Sequence, residues 1–141
     1  MREVSLNWSI HHVTLQTHDV KKSAAFYRDI LGLQNGAPHN IGTGTGDMEI
    51  NNDVLAVVGD GNRGLHLLTP HPHFARDAGF SINPAMGGHV AISVDDIDAV
   101  KRRLDEAGVY YQDAGEHAAP GWSQIYLYDP SGNLIEVNQT R

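Results

Sequence analysis

The sequence predicts an α+β fold made of two βαβββ modules. Three observations carry that reading: a repeat at an offset of 77 residues, period-two alternation after each repeat start, and a helical spacing that follows it. The first copy is His12-Val13-Thr14-Leu15-Gln16-Thr17-His18-Asp19-Val20. The second, His89-Val90-Ala91-Ile92-Ser93-Val94-Asp95-Asp96-Ile97, matches it without a gap.

In the first strand Val13 and Leu15 share one face, and His12, Thr14 and Gln16 share the other. In its mate, Val90, Ile92 and Val94 oppose His89, Ala91 and Ser93. The helix that follows presents Val20, Ala24, Tyr27 and Leu31 as one stripe. Its repeat mate presents Ile97, Val100, Leu104 and Ala107. Asp19 and Asp96 are natural N-caps, and Gly32 and Gly108 natural C′ residues. The apolar strand faces therefore pack under the helices, and the histidine faces look away from them.

Shorter extended segments complete each half. In the first half they are Val54 to Val58 and Leu65 to Leu68, on either side of a turn at Gly59-Asp60-Gly61-Asn62. A further strand just after the first helix is only faintly signalled. In the second half they are Val109 to Gln112, Ser123 to Tyr128 and Leu134 to Asn138, with the last turn at Asp129-Pro130-Ser131-Gly132-Asn133. The predicted organisation is one domain over 1–141, with a first module at about 8–69, a Pro- and Gly-rich loop at about 70–88 and a second module at about 88–139.

Composition narrows the function classes. A net charge of −7 speaks against a nucleic-acid surface, and Lys101-Arg102-Arg103 reads as a solvated helix face. No cysteine is present, which excludes thiolate metal sites and thiol nucleophiles. No apolar run approaches the roughly 20 residues of a membrane span, so a cytoplasmic protein with no membrane partner is expected.

Parity then limits which of the nine histidines converge. If Ile135 and Val137 pack under the helix, Glu136 points the way His89 does. An acid flanked by Ile and Val is costly to bury unpaired, so it needs a partner. By the same rule Gln124, Tyr126 and Tyr128 fall on the Glu136 side, and His66 with Leu68 can face it from the first module. Thr14 shares the His12 face. Two imidazoles and one carboxylate on facing strands match the ligand set of a catalytic divalent metal, so His12, His89 and Glu136 are the candidate ligands. His11 has the parity of Val13 and Leu15 and is expected to be a packing or surface residue. Trp8, Trp122 and Phe80 are candidate aromatic lining.

These motifs together resemble the vicinal oxygen chelate superfamily, which includes glyoxalase I, fosfomycin-resistance transferases, bleomycin-binding proteins and type I extradiol dioxygenases. The carriers are His12-Val13-Thr14-Leu15 with Asp19-Val20, then Phe26-Tyr27-Arg28-Asp29-Ile30-Leu31-Gly32-Leu33. Gly88-His89-Val90-Ala91-Ile92 and Tyr128-Asp129-Pro130-Ser131-Gly132-Asn133-Leu134-Ile135-Glu136 complete the set. The resemblance implies a cup-shaped mixed sheet with helices on its outer face, and the same three ligands. It places a fourth ligand, often Glu or Gln, on the last strand of the first module, where this chain has His66. It also implies a homodimer in which modules can pair between chains.

The second half is similar in spacing to extradiol dioxygenases, which keep a tyrosine ten and a histidine nineteen residues before the ligand glutamate; here these are Tyr126 and His117. The acid those enzymes often keep three residues after that histidine is Pro120 here. The expectation is therefore an enzyme that binds a small molecule through two neighbouring oxygens, with oxygenase chemistry first. Fe2+ is the favoured metal, with Zn2+, Ni2+, Mn2+ or Co2+ as alternatives. A glyoxalase I-like isomerase or lyase is the second reading, and a non-catalytic small-molecule binding protein the third. His66 is expected as base or fourth ligand, Tyr126 or His117 as hydrogen-bond donor to a substrate oxygen, Thr14, Gln124, Trp122 and Phe80 as pocket wall, and the 70–88 loop as a lid.

Overall fold

Period-two alternation with one apolar face builds a sheet that must be covered on that face. The computed structural model describes residues 7–34, 36 and 54–140. Its strands are β1 (Trp8–Gln16), β2 (Leu55–Asp60), β3 (Arg63–Leu68), β4 (His89–Val94), β5 (Gln112–Gly115), β6 (Ser123–Tyr128) and β7 (Leu134–Gln139). The helices are α1 (Val20–Ala25), α2 (Phe74–Ala78) and α3 (Ile97–Ala107). The faintly signalled strand after α1 falls outside the described residues.

All seven strands form one mixed, cup-shaped sheet in the order β2-β3-β1-β4-β7-β6-β5. The repeat is visible in the pairing: β1 runs parallel to β3 as β4 runs parallel to β7. The two modules meet where β1 pairs antiparallel with β4 inside one chain. The histidine-bearing strands are therefore neighbours at the centre of the sheet.

The two long helices cover the outer face. Ala24 of α1 packs with Val58 and Leu67, with Leu15, Tyr27 and Leu65 around them. Ile97 of α3 packs with Val94, Ile125 and Val137, with Val100, Leu104 and Ile135 at the margin. Asp19 accepts from the Lys22 amide at 3.0 Å and Asp96 from the Ala99 amide at 3.1 Å, so both expected N-caps form. Gly108 takes the left-handed conformation, φ 69°, that ends α3.

Three local expectations need correction. The first helix widens into a π turn over Phe26–Ile30, with the Leu31 amide donating to the Phe26 carbonyl. The extra residue per turn rotates Leu31 off the apolar stripe, and it is 54 % exposed. Strand β5 begins at Gln112, where Val109 to Gln112 was expected; Val109 and Tyr110 are exposed. The 70–88 segment contains the short helix α2, which lies over the concave face: its Phe74 is buried against Leu55, Leu68 and Ala85. No helix among the described residues is long and apolar enough to cross a membrane.

Candidate metal centre and substrate pocket

Sheet register delivers the ligands. His12 lies opposite Ala91, Ala91 lies beside Glu136, and Glu136 lies opposite Tyr126, so one row crosses β1, β4, β7 and β6. The adjacent row runs from His66 through Thr14 to His89. Directly paired residues point to the same face, so all of these side chains enter the cup. Ala91 between His12 and Glu136 is too small to keep them apart.

His12, His89 and Glu136 are all buried, and one ligand atom from each falls within 4.8 Å of the others. His12 Nε2 is 3.6 Å and His89 Nε2 3.2 Å from the same oxygen, Glu136 Oε1. Two ligands each about 2.1 Å from one metal lie roughly 3.0–3.4 Å apart at ordinary coordination angles. The three residues thus fit a divalent cation.

The surroundings hold the charges that a cation needs. Glu136 is 1 % exposed, and its Oε2 accepts from Asn138 Nδ2 at 2.8 Å; Asn138 Oδ1 in turn accepts from Ser93 Oγ at 2.5 Å. Burial alone would favour the protonated acid. Hydrogen bonds from His89 and from the Asn138 amide oppose it and hold Glu136 ionised, well below the carboxylate range. Burial drives His12 down to about 2, so its imidazole is neutral, as a ligand must be.

His66 enters the site but spends one nitrogen elsewhere. Its ring stacks on His12, centroids 3.7 Å apart, and its Nε2 lies 2.5 Å from the Asn62 carbonyl oxygen. A carbonyl only accepts, so Nε2 carries the proton and Nδ1 the lone pair. Burial lowers the His66 pKa, against the Asn62 bond, which raises it. His66 is not grouped with the other three as a ligand.

Tyr126, His117 and Gln124 form a chain on the other wall. His117 Nε2 is 2.8 Å from the Tyr126 hydroxyl, which also accepts from Gln124 Nε2 at 3.1 Å. Burial lowers His117 and raises Tyr126 well above the phenol range, so the pair is neutral.

These groups line a cavity of about 540 Å³ of empty space including its mouth. Thr14, His66, His117, Trp122, Gln124 and Tyr126 form its polar wall around the triad, and Leu55, Leu68, Phe74, Pro84 and Ala85 its apolar wall. From the 70–88 segment, expected as a lid, Phe74, Pro84 and Ala85 form part of this wall, and Asn83 donates to the His71 and Pro72 carbonyls. Phe80 does not reach the wall: it stands behind it, its ring 6.0 Å from Phe74 and 5.2 Å from His117. Trp8 lies at the start of the central strand β1, 64 % exposed and away from the cavity lining.

His11 was missed. It is 4 % exposed, its Nδ1 lies 2.8 Å from His12 Nδ1, and its ring sits 5.1 Å from Trp122. A β-bulge is the reason. Ile10 pairs with Ile92 but His12 pairs with Ala91, so two steps along β1 match one along β4 and the alternation breaks at His11. The His11-His12 doublet is the only hint in the sequence.

Comparison with known proteins agrees with this architecture. The Glyoxalase/Bleomycin resistance protein/Dioxygenase superfamily profile matches residues 9–137. An ethylmalonyl-CoA/methylmalonyl-CoA epimerase of Cereibacter sphaeroides is 33 % identical over 92 % of this chain and 96 % of its own length. A probable lactoylglutathione lyase of Vibrio parahaemolyticus is 27 % identical over 96 % and 93 %. The crystal structure of methylmalonyl-CoA epimerase from Mycobacterium tuberculosis superposes with a TM-score of 0.62 at 24 % identity, over 94 % of this chain and 87 % of that one. The family model spans the chain from β1 to β7, and this chain belongs to the Glyoxalase/Bleomycin resistance protein/Dioxygenase superfamily.

Proposed function

We propose that this protein is a divalent-metal-dependent enzyme that holds a small carbonyl compound by two neighbouring oxygens and moves a proton on the adjacent carbon, as isomerases, epimerases and lyases do. The observation that carries the reading is the convergence of His12, His89 and Glu136 on one point beside a neutral histidine with a free lone pair, His66 Nδ1. The relatives named above are epimerases and a lyase, which moves the weight from oxygen chemistry to proton transfer.

His12, His89 and Glu136 would hold the metal. A divalent cation there supplies Lewis-acid stabilisation of negative charge developing on the substrate oxygens. The protein supplies the rest. His66 takes the proton at Nδ1, while its Nε2–H stays on the Asn62 carbonyl, which fixes the ring and eases the positive charge. Tyr126 keeps its proton because its pKa is raised. When His117 carries its own proton on Nε2, Tyr126 accepts from His117 and Gln124, and its O–H is released to a substrate oxygen. Leu55, Leu68 and Phe74 keep water from the reacting carbon.

A glutathione-dependent reaction draws less support. A basic patch for the thiol cosubstrate is absent from the described lining residues, which include neither Lys nor Arg. An oxygenase remains the second reading, carried by the Tyr126–His117 contact of 2.8 Å beside the triad.

The test is proton exchange. Metal-loaded protein is incubated in D2O with methylmalonyl-CoA and with simpler 2-methylmalonyl thioesters, and the C2–H signal is followed by NMR. The reading expects metal-dependent loss of that signal without oxygen uptake. Oxygen consumption with a catechol, and no exchange with any thioester, would favour the oxygenase instead.

A further inference from the structure

The two ligand histidines are not held alike. His89 has a buried Nδ1 without a hydrogen-bond partner, and its Nε2 is 3.2 Å from Thr14 Oγ1. His12 has a dedicated neighbour at Nδ1, and that neighbour is present only because β1 bulges at His11. Without the bulge His11 would turn to the outer face with Val13 and Leu15. A bulge gives up ladder pairing, so placing this one beside a ligand calls for a purpose.

We propose that His11 is a positioning residue for the metal centre: its Nδ1 accepts the Nδ1–H of His12 and holds His12 in the tautomer whose Nε2 lone pair faces Glu136 and His89. The proposal rests on the metal reading above. A contact of 2.8 Å between two ring nitrogens needs one proton between them. Two arrangements exist for neutral rings. If His11 donated, His12 would carry its proton on Nε2, aimed at Glu136 Oε1 across 3.6 Å, and could not ligate. If His12 donates, its Nε2 is free, and His11 keeps its own proton on Nε2. The second arrangement alone leaves the triad ready for a cation.

The ring of His11 is itself held. It stands 5.1 Å from Trp122 and edge-on to His66 at 6.4 Å, both residues of the pocket wall. Partners at the second nitrogen of a ligand histidine fix its tautomer and orientation, and losing one costs about 10–100-fold in metal affinity. Here an imidazole takes the place that a carboxylate or carbonyl usually fills.

The experiment uses the full chain, Zn2+ as the probe and a chromophoric chelator as competitor, with 15N-histidine NMR of the metal-free protein as a second readout. His11→Phe keeps the ring and its contact with Trp122 but removes the acceptor. His11→Asn puts an amide oxygen near the lost Nδ1. Zinc affinity should fall about 10–100-fold in His11→Phe, and His11→Asn should recover most of it. The metal-free wild type should show His12 protonated at Nδ1, with that signature lost in His11→Phe and kept in His11→Asn. A merely structural role would not be rescued by an acceptor. Wild-type zinc affinity in His11→Phe, or an Asn variant as weak as Phe, overturns the proposal. Should the wild type bind no zinc, the metal reading falls and the role of His11 falls with it; should it bind zinc while the metal-free protein shows His12 protonated at Nε2, the metal reading stands and the role of His11 alone is overturned.

Discussion

The imidazole of His66 lies flat on that of His12, with centroids 3.7 Å apart and planes within 7°. Register explains the contact: His12 pairs with Gly64 and Thr14 with His66, so the glycine opposite His12 leaves room for the next histidine on β3 to lean over it. One ring belongs to the candidate ligand set and the other holds the candidate base.

That division gives a first prediction. His66→Phe keeps a flat ring on His12 but has no lone pair. Metal content should stay at the wild-type level, while C2–H exchange falls by about 10²–10⁴-fold, the usual worth of a positioned base. Loss of metal together with activity would instead make His66 a ligand.

Tyr126 gives the second. Tyr126→Phe removes one hydroxyl from a neutral, buried chain and touches no ligand atom. A hydrogen bond to a charge-bearing oxygen is worth about 1.5–3 kcal/mol, so turnover should fall roughly 10–100-fold with metal affinity unchanged. An unchanged turnover number would leave Tyr126 a packing residue.

The third concerns acid. Burial lowers His11 to about 4 and His12 to about 2, from an ordinary value of 6.5, and lowers His66 and His117 as well. Below pH 6.5 the unfolded chain therefore binds protons that the folded chain refuses. Stability of the metal-free protein is full above that pH and is lost progressively as pH falls toward about 4. Urea midpoints at pH 7.5, 6 and 5 check it. A flat midpoint across that range would contradict the neutral, buried histidines.

The lid gives the fourth. Phe74 is 2 % exposed and packs on Leu55, Leu68 and Ala85. Phe74→Ala should cost about 3–5 kcal/mol by denaturant titration. A smaller loss with intact exchange would mean that the segment is only laid over the cup.

Much of this architecture is legible in the sequence because alternation and repetition are one-dimensional signals. The offset between His12 and His89 marks β1 and β4 as equivalent strands. Ile135 and Val137 flanking Glu136 point the acid into the cup once α3 claims their face. The signals fail where a local irregularity resets the phase. The bulge at His11 turns a residue inward that strict parity sends outward, and the π turn moves Leu31 off its stripe. His66 has the right parity, yet its engagement by the Asn62 carbonyl depends on the β2–β3 turn closing back on β3, which no spacing rule reports. Phe80 shows the same limit: its ring packs behind His117 because the chain turns at Gly79, φ 77°, after α2.

The most direct measurement is metal content. Wild-type protein purified without chelators should hold about one divalent cation per chain by elemental analysis, as the one buried triad among the described residues, His12, His89 and Glu136, requires. Glu136→Gln removes the one charge of that set and leaves its shape, so it should purify folded and empty. Full occupancy in Glu136→Gln, or a wild type that takes up no metal when offered it, would contradict the account.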